Sequence, residues 1–193
     1  MLLRKLGFVS VLLGGIVPAL GQTPASGGLD PALLAKANAG DASAQVAVGE
    51  SYAEGKGIAS DRKQAAEWFR KAADKGNIDA EMHLAALYRD GSKELPRDMT
   101  VAAAWYRKAA EQGNPTAQAT LGTLYSLGQG VPQSYVEAYY WIDLAAAVKG
   151  PRQAQYAANR QMVGTHITAD ELADVQDREA KWKAAHPRPD AVQ

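Results

Sequence analysis

The chain has 193 residues, with 21 basic and 21 acidic side chains and no cysteine. That balance excludes the strongly basic surface of a nucleic-acid-binding domain, and the lack of cysteine excludes disulfides even in an oxidising compartment. About 165 residues are left for folding, enough for one domain, whose stability must come from its packed interior.

Residues 1–21 read as a secretory leader. Arg4 and Lys5 form a basic start, Leu6 to Leu20 is largely apolar, and Ala19-Leu20-Gly21 is a small-x-small cleavage site. The apolar run is too short to favour a membrane span. The expected location is therefore periplasmic or secreted, with cleavage after Gly21 and 19 basic against 21 acidic residues in the processed chain, a net charge of −2. Residues 22–28 (QTPASGG) have the composition of a flexible linker. A helix is expected over 30–39, capped by Asp30, started by Pro31 and turned inward by Leu33, Leu34 and Ala37, as an N-terminal cap on the fold.

The next stretch is threefold. Ala44, Ala80 and Ala117 correspond, as do Val48, Leu84 and Leu121; Tyr52, Tyr88 and Tyr125; and Trp68, Trp105 and Trp141, at steps of 36 or 37 residues. A period in this range marks a solenoid of stacked units, here 41–76, 77–113 and 114–150. Each unit reads as two helices. The first is capped by Asp41, Asn77 or Asn114, carries the Ala/Val/Leu/Tyr stripe at every fourth residue, and stops at Gly55, Gly91 or Gly128. The second starts at Asp61, Asp98 or Ser134 and buries Ala65, Trp68, Phe69 and Ala72 or their counterparts. Turns as short as Gly76-Asn77 and Gly113-Asn114 force neighbouring helices antiparallel.

Two helices are expected beyond the units. One runs 151–163, opened by Pro151, with Ala154, Ala157, Ala158 and Met162 as its apolar positions. The other runs 168–185, with Thr168 and Glu171 as a capping box, Leu172, Val175 and Trp182 inward, and a charged outer side suited to the end of a solenoid. Residues 187–193 leave as a tail.

The segments AQATLGTLYSLGQGV, AAEWFRKAADKG and AAAWYRKAAEQG resemble the Sel-one-like repeat, the slightly longer relative of the tetratricopeptide repeat. Two departures stand out: Ser92-Lys93-Glu94 lengthens the loop of the second unit, and Leu144 replaces the usual Lys of the third. The resemblance implies an all-α, α/α superhelix whose binding face lies on the first helix of each unit, opposite the Ala/Leu/Tyr stripe. Counting round the helices, that face carries Ser43, Val46, Glu50 and Ala53; Asp79, Met82, Ala86 and Arg89; and Thr116, Ala119, Thr123 and Ser126. The residues expected to meet a partner are Ser43, Glu50, Asp79, Met82, Arg89, Thr116, Thr123 and Ser126.

Little in the chain points to chemistry. His83, His166 and His186 fall in different units with no convergent pair, so no metal site is expected. No nucleophile elbow occurs, and no cofactor is expected. The loops Gly55-Lys56-Gly57 and Gly128-Gln129-Gly130 follow helices and lack the G-K-[ST] of a phosphate loop. The expected function is an exported, non-catalytic scaffold that holds a protein or peptide partner in the cell envelope, without nucleic acid and without a membrane span after cleavage. The alternative is a protein that binds or hydrolyses cell-wall material, peptidoglycan or a β-lactam, with Tyr135, Tyr139 and Tyr140 stacking on sugar rings. Relatives linked to β-lactams resemble a cysteine-paired form of the repeat, which this chain lacks.

Overall fold

A short polar side chain stands before almost every helix and accepts a hydrogen bond from the first turn. The computed structural model describes residues 28–187; the expected leader, most of the linker and most of the tail lie outside the described residues. The helices are α1 (Pro31–Asn38), α2 (Ala42–Glu54), α3 (Arg62–Ala73), α4 (Ile78–Asp90), α5 (Met99–Glu111), α6 (Pro115–Leu127), α7 (Tyr135–Ala146), α8 (Gln153–Gly164) and α9 (Ala169–Ala185). Asp41, Asn77 and Asn114 accept from the backbone N–H three residues on at 2.7, 2.9 and 2.9 Å. Asp61, Asp98 and Ser134 do the same for the second helices, and Thr168 with Glu171 completes a reciprocal capping box.

The end of the third unit differs from expectation. Pro151 does not start a helix. The Gln153 N–H donates to the Gly150 carbonyl at 3.1 Å, and Arg152 sits at φ −100°, ψ 1°. This is a turn with proline in its favoured second place. Helix α8 starts after it and runs through Gly164. Its buried residues are Tyr156 and Val163, while Ala154, Ala158 and Met162 are exposed.

Each helix packs on its successor from α1 to α8, and α9 packs on α7. Within a unit the helices meet where a minimal side chain faces a large one. A Cβ on Gly49 would stand 2.6 Å from the Phe69 ring, and one on Gly122 would stand 2.5 Å from Ile142 and 2.8 Å from the Ala138 carbonyl. Ala85, wholly buried, holds the same place in the second unit, where Tyr106 matches Phe69 and Ile142. Alanines Ala65, Ala72, Ala102, Ala109, Ala138 and Ala145, all wholly buried, let the backbones approach, and the rings fill the space left, as close packing requires.

Between units, polar ties repeat with the period. Arg70 donates to the Tyr88 hydroxyl at 3.2 Å, and Arg107 to the Tyr125 hydroxyl. Within each second helix, Lys71 lies 3.7 Å over the Trp68 ring and Lys108 3.8 Å over Trp105, a favourable cation–π placement. A second tie is buried. Gln45, Glu81 and Gln118 occupy one register of the first helices and are at most 4% exposed. Gln45 and Gln118 donate to the carbonyls of Ala37 and Ala110 in the preceding helix at 3.0 and 3.1 Å. Lys75 then reaches Gln45 Oε1, and Gln112 donates to Glu81 at 2.8 Å. Burial raises the Glu81 carboxyl above its ordinary value, against the pull of Lys108.

The third unit keeps neither the buried donor nor the lysine over the tryptophan. Val148 holds the place of Lys75 and Gln112 and has no donor, so Gln118 Oε1 is buried without a partner. Leu144 holds the place of Lys71 and Lys108 and is wholly buried, because α9 lies over α7 where the earlier units face solvent. Leu172, Val175 and Trp182 are the inward positions of α9, and Glu179 extends the same stripe. Glu179 is 5% exposed. It pairs with Lys183 at 3.1 Å, and the facing Asp143 with Arg160 at 2.6 Å. Glu179 Oε1 meets no N–H or O–H donor; it shares a hydrogen bond with Asp143 through a proton of its own. Burial first, then the hydrogen bond with Asp143 and the Asp143 charge, push the Glu179 carboxyl up to about 7. Burial also opposes charge on Asp143, but the hydrogen bonds from Glu179 and Arg160 hold it below its ordinary value.

Two outcomes follow from this packing. Gly122→Ala forces Ile142 and the α7 backbone aside and lowers the unfolding free energy in urea by about 1–3 kcal/mol. Glu179 binds its proton more tightly folded than unfolded, so its contribution is complete below its ordinary value of 4.5 and is lost as pH rises through about 7. Glu179→Gln keeps a donor toward Asp143 without titrating. Between pH 5 and pH 8, therefore, the wild-type melting temperature falls relative to that of the variant, by about 2–4 °C for each kcal/mol involved. Parallel curves for the two proteins would exclude a shared proton.

Candidate functional site

The first-helix residues expected to meet a partner divide by unit. In the first, Ser43 is exposed, and Glu50 stands 3.2 Å from His83 Nε2 across to α4. In the second, Asp79 is exposed, while Met82 is half-buried and packs against the core on either side. Arg89 is exposed but already engaged by its neighbours. It grips the Asp90 carboxylate at 2.7 and 3.2 Å and donates to the Tyr106 hydroxyl at 3.1 Å. The Arg89 hydrogen bond lowers Asp90 below its ordinary value, and burial raises the Tyr106 phenol. Removing Arg89 thus takes the donor from a buried hydroxyl as well as a charge from the surface.

In the third unit the residues come together. Thr116, Ala119 and Thr123 line a hollow of about 140 Å³ against Arg152, Gln155, Tyr156 and Asn159 of the α8 side. Thr123 and Ser126 line the adjoining hollow of about 370 Å³ with Leu127, Tyr135, Met162 and His166. Thr123 and Asn159 belong to both, so the two form one trough between α6 and α8. Ala119 is buried in its floor at 6% exposure. Leu127 and Met162, 59% and 63% exposed, are the large apolar residues most open to solvent among the described residues, and both stand at its wider end.

The α8 wall escaped the reading of the sequence. Arg152, Gln155, Asn159, Met162 and His166 are spaced three, four, three and four apart, the same spacing that marks the α6 wall. That signal was present, but the alanines of α8 competed with it as an apolar stripe. Ala154, Ala157 and Ala158 instead line a wider hollow of about 710 Å³ between α8 and α9, with Tyr139 and Leu172.

The tyrosines and histidines are placed by packing. Tyr140 is buried edge-on against Trp141 at 5.0 Å with Arg178 over its ring. Tyr135 is half-buried and stacks on His166 at 4.3 Å. Tyr139 opens onto the separate α8–α9 hollow. The three therefore present no common stacking surface. His83 stacks on Phe69 at 4.8 Å and His186 on Trp182 at 4.3 Å. Among the described residues no group of three or more His, Cys, Asp or Glu is arranged to hold a metal ion, and no helix is long and apolar enough to cross a membrane.

Comparison with known proteins picks out the same units. The Sel1 repeat pattern matches residues 42–77, 78–114 and 115–147. A protective antigen present in uropathogenic Escherichia coli strains, displaying an SLR fold, superposes with a TM-score of 0.69 at 34% identity, over 83% of this chain and 35% of that one. A Sel1 repeat protein from Oxalobacter formigenes superposes with a TM-score of 0.59 at 33% identity, over 67% of this chain and 95% of that one. This chain thus spans about a third of the antigen's length. No curated protein matches the chain. Sel1 repeats generally act as protein–protein interaction scaffolds, and the fold is typically non-catalytic. With three matched units covering more than half of its residues, the chain belongs to the Sel1 repeat family.

Proposed function

We propose that the chain is an exported adaptor that holds a peptide segment of a partner protein in the trough between α6 and α8 and carries out no covalent chemistry. The observation that carries this reading is the convergence of Thr116, Thr123 and Ser126 with the α8 side chains around one open trough flanked by exposed Leu127 and Met162. Isolated apolar residues on a surface are ordinary, but a concave apolar site edged by a few polar groups is the usual form of a binding site. The face expected on the first two units contributes less, since Glu50 and Arg89 are engaged by His83, Asp90 and Tyr106.

Export rests on the basic start at Arg4 and Lys5, the apolar run to Leu20 and the small-residue site ending at Gly21. Expressed in a bacterium with an outer membrane, the full chain should appear in the envelope or medium with Gln22 as its first residue by mass spectrometry. An unprocessed cytoplasmic product would refute export.

Binding is tested with a random peptide library displayed at the free N-terminus of a phage coat protein. Peptides selected on the full chain should lose at least about tenfold in affinity, roughly 1.4 kcal/mol, when Thr123→Trp fills the trough. Ser43→Trp, on the exposed start of α2, should leave affinity unchanged. Both variants should melt near the wild type, since both positions are exposed. Selection that yields no reproducible binder, or binders indifferent to Thr123→Trp, would remove the basis of this reading.

A further inference from the structure

The trough is assembled from the two longest acid-free parts of the folded chain. Residues 112–136 contain no Asp or Glu, and neither do residues 144–169, although the chain holds 21 acidic residues in all. The first stretch supplies α6 and the second supplies α8. The fold lays them side by side, so the trough has no carboxylate in its lining.

The cations are grouped at one end. Beside the narrower hollow lies a third, of about 230 Å³, which shares Thr116, Arg152 and Tyr156 with it and adds Lys149. Lys149 and Arg152 are exposed and enter none of the ion pairs formed among the described residues. By contrast, Arg160 on the other side of α8 is occupied by Asp143 at 2.6 Å. At the opposite end stand Leu127 and Met162, with His166 stacked on Tyr135 beside them. The trough is thus polarised, with two unpaired cations at the start of α8, amide side chains of Gln155 and Asn159 in the middle, and an apolar hollow at the end.

Building on the adaptor reading, we propose that this trough selects an extended acidic–apolar peptide segment, with Asp or Glu side chains at Lys149 and Arg152 and one large apolar side chain between Leu127 and Met162. The spacing comes from helix geometry. Arg152 and Met162 are ten residues apart on or beside α8, about 15 Å along its axis. An extended chain covers that distance in about four to five residues at ~3.3 Å each. The acid comes from side chains within the segment, because Lys149 and Arg152 flank an open mouth through which the peptide chain continues. Charge of one sign in the lining also rejects basic segments, a contribution to specificity rather than to raw affinity.

The test uses the same displayed library, whose peptides have no free carboxyl end. Peptides selected on the full chain should be enriched in Asp or Glu four to five residues from a Leu, Ile, Phe or Met. Replacing the acids of one selected peptide by Asn or Gln should weaken it about tenfold in fluorescence anisotropy, with the difference shrinking as salt is raised. The double variant Lys149→Glu, Arg152→Glu should abolish the preference for the acidic form without changing the melting temperature. Met162→Asp should weaken both forms. If the selected peptides depend on Thr123 but show no acidic enrichment, or if the preference survives the double charge reversal, this inference is overturned while the adaptor reading stands. If no peptide is selected at all, both fall.

Discussion

The close approach of two helices within each unit is the constraint on which the rest of the structure depends. It exists because the residue facing the largest side chain of the second helix is as small as a side chain can be: Gly49 under Phe69, Ala85 in the second unit, Gly122 under Ile142. At such a contact the Cβ itself is the excess volume, and a close-packed interior has nowhere to put it. The rings then reach past the small residue and fill the layer between units. Polar ties along the edges of the stack, such as Arg70 to Tyr88 and Arg107 to Tyr125, set each unit's register on the next. Apolar packing holds the pair together, and the ties fix how one pair sits on another.

The third unit shows what happens when the stack is brought to a close. Leu144 in place of the cation over the tryptophan, and Val148 in place of the donor to the buried glutamine, both look like defects when the unit is compared with its predecessors. The first has a direct explanation: helix α9 packs on α7, so a lysine at position 144 would be buried beneath it. The second leaves the Gln118 side-chain carbonyl oxygen unpaired because valine has no side-chain donor. In place of the repeating ties, this unit is joined to its covering helix by the Asp143–Glu179 pair with Arg160 and Lys183. A solenoid end must exchange the repeating surface for one that faces water, and here the exchange is made through one helix laid across the last unit.

The trough results from that ending. Helix α8 occupies the place of a fourth first helix and stands beside α6, but α9 turns to α7 instead of pairing closely with α8. Both sides of α8 are left open as a result. One side carries Ala154, Ala157 and Ala158 with Arg160 and Gln161 and faces the α8–α9 hollow; the other carries Arg152, Gln155, Asn159 and Met162 and faces α6. In the first two units Glu50 is engaged by His83 and Arg89 by Tyr106, while Ser43 and Asp79 stand exposed without a facing wall. The hollows that bring two walls together lie at the end of the stack.

The sequence by itself determined the repeat, its helices and their caps. These depend on residues a few positions apart, where Asp41, Asn77, Asn114 or Thr168 meets a backbone N–H of its own helix, and on a period that places equivalent residues at equivalent depth. The Thr116, Thr123 and Ser126 wall of the trough was legible for the same reason, since one helix face can be counted from spacing alone. What only the tertiary structure decided is which faces meet. Ala154, Ala157 and Ala158 read as an inward stripe, but burial of Tyr156 and Val163 turns them out. Glu179 lies on the inward stripe of α9, but its depth and its proton depend on Asp143, 36 residues earlier on α7. The pairing of two acid-free stretches into one trough likewise depends on how α8 is carried past α6. Spacing along one helix fixes direction, whereas depth and partnership are set by the helix on the other side.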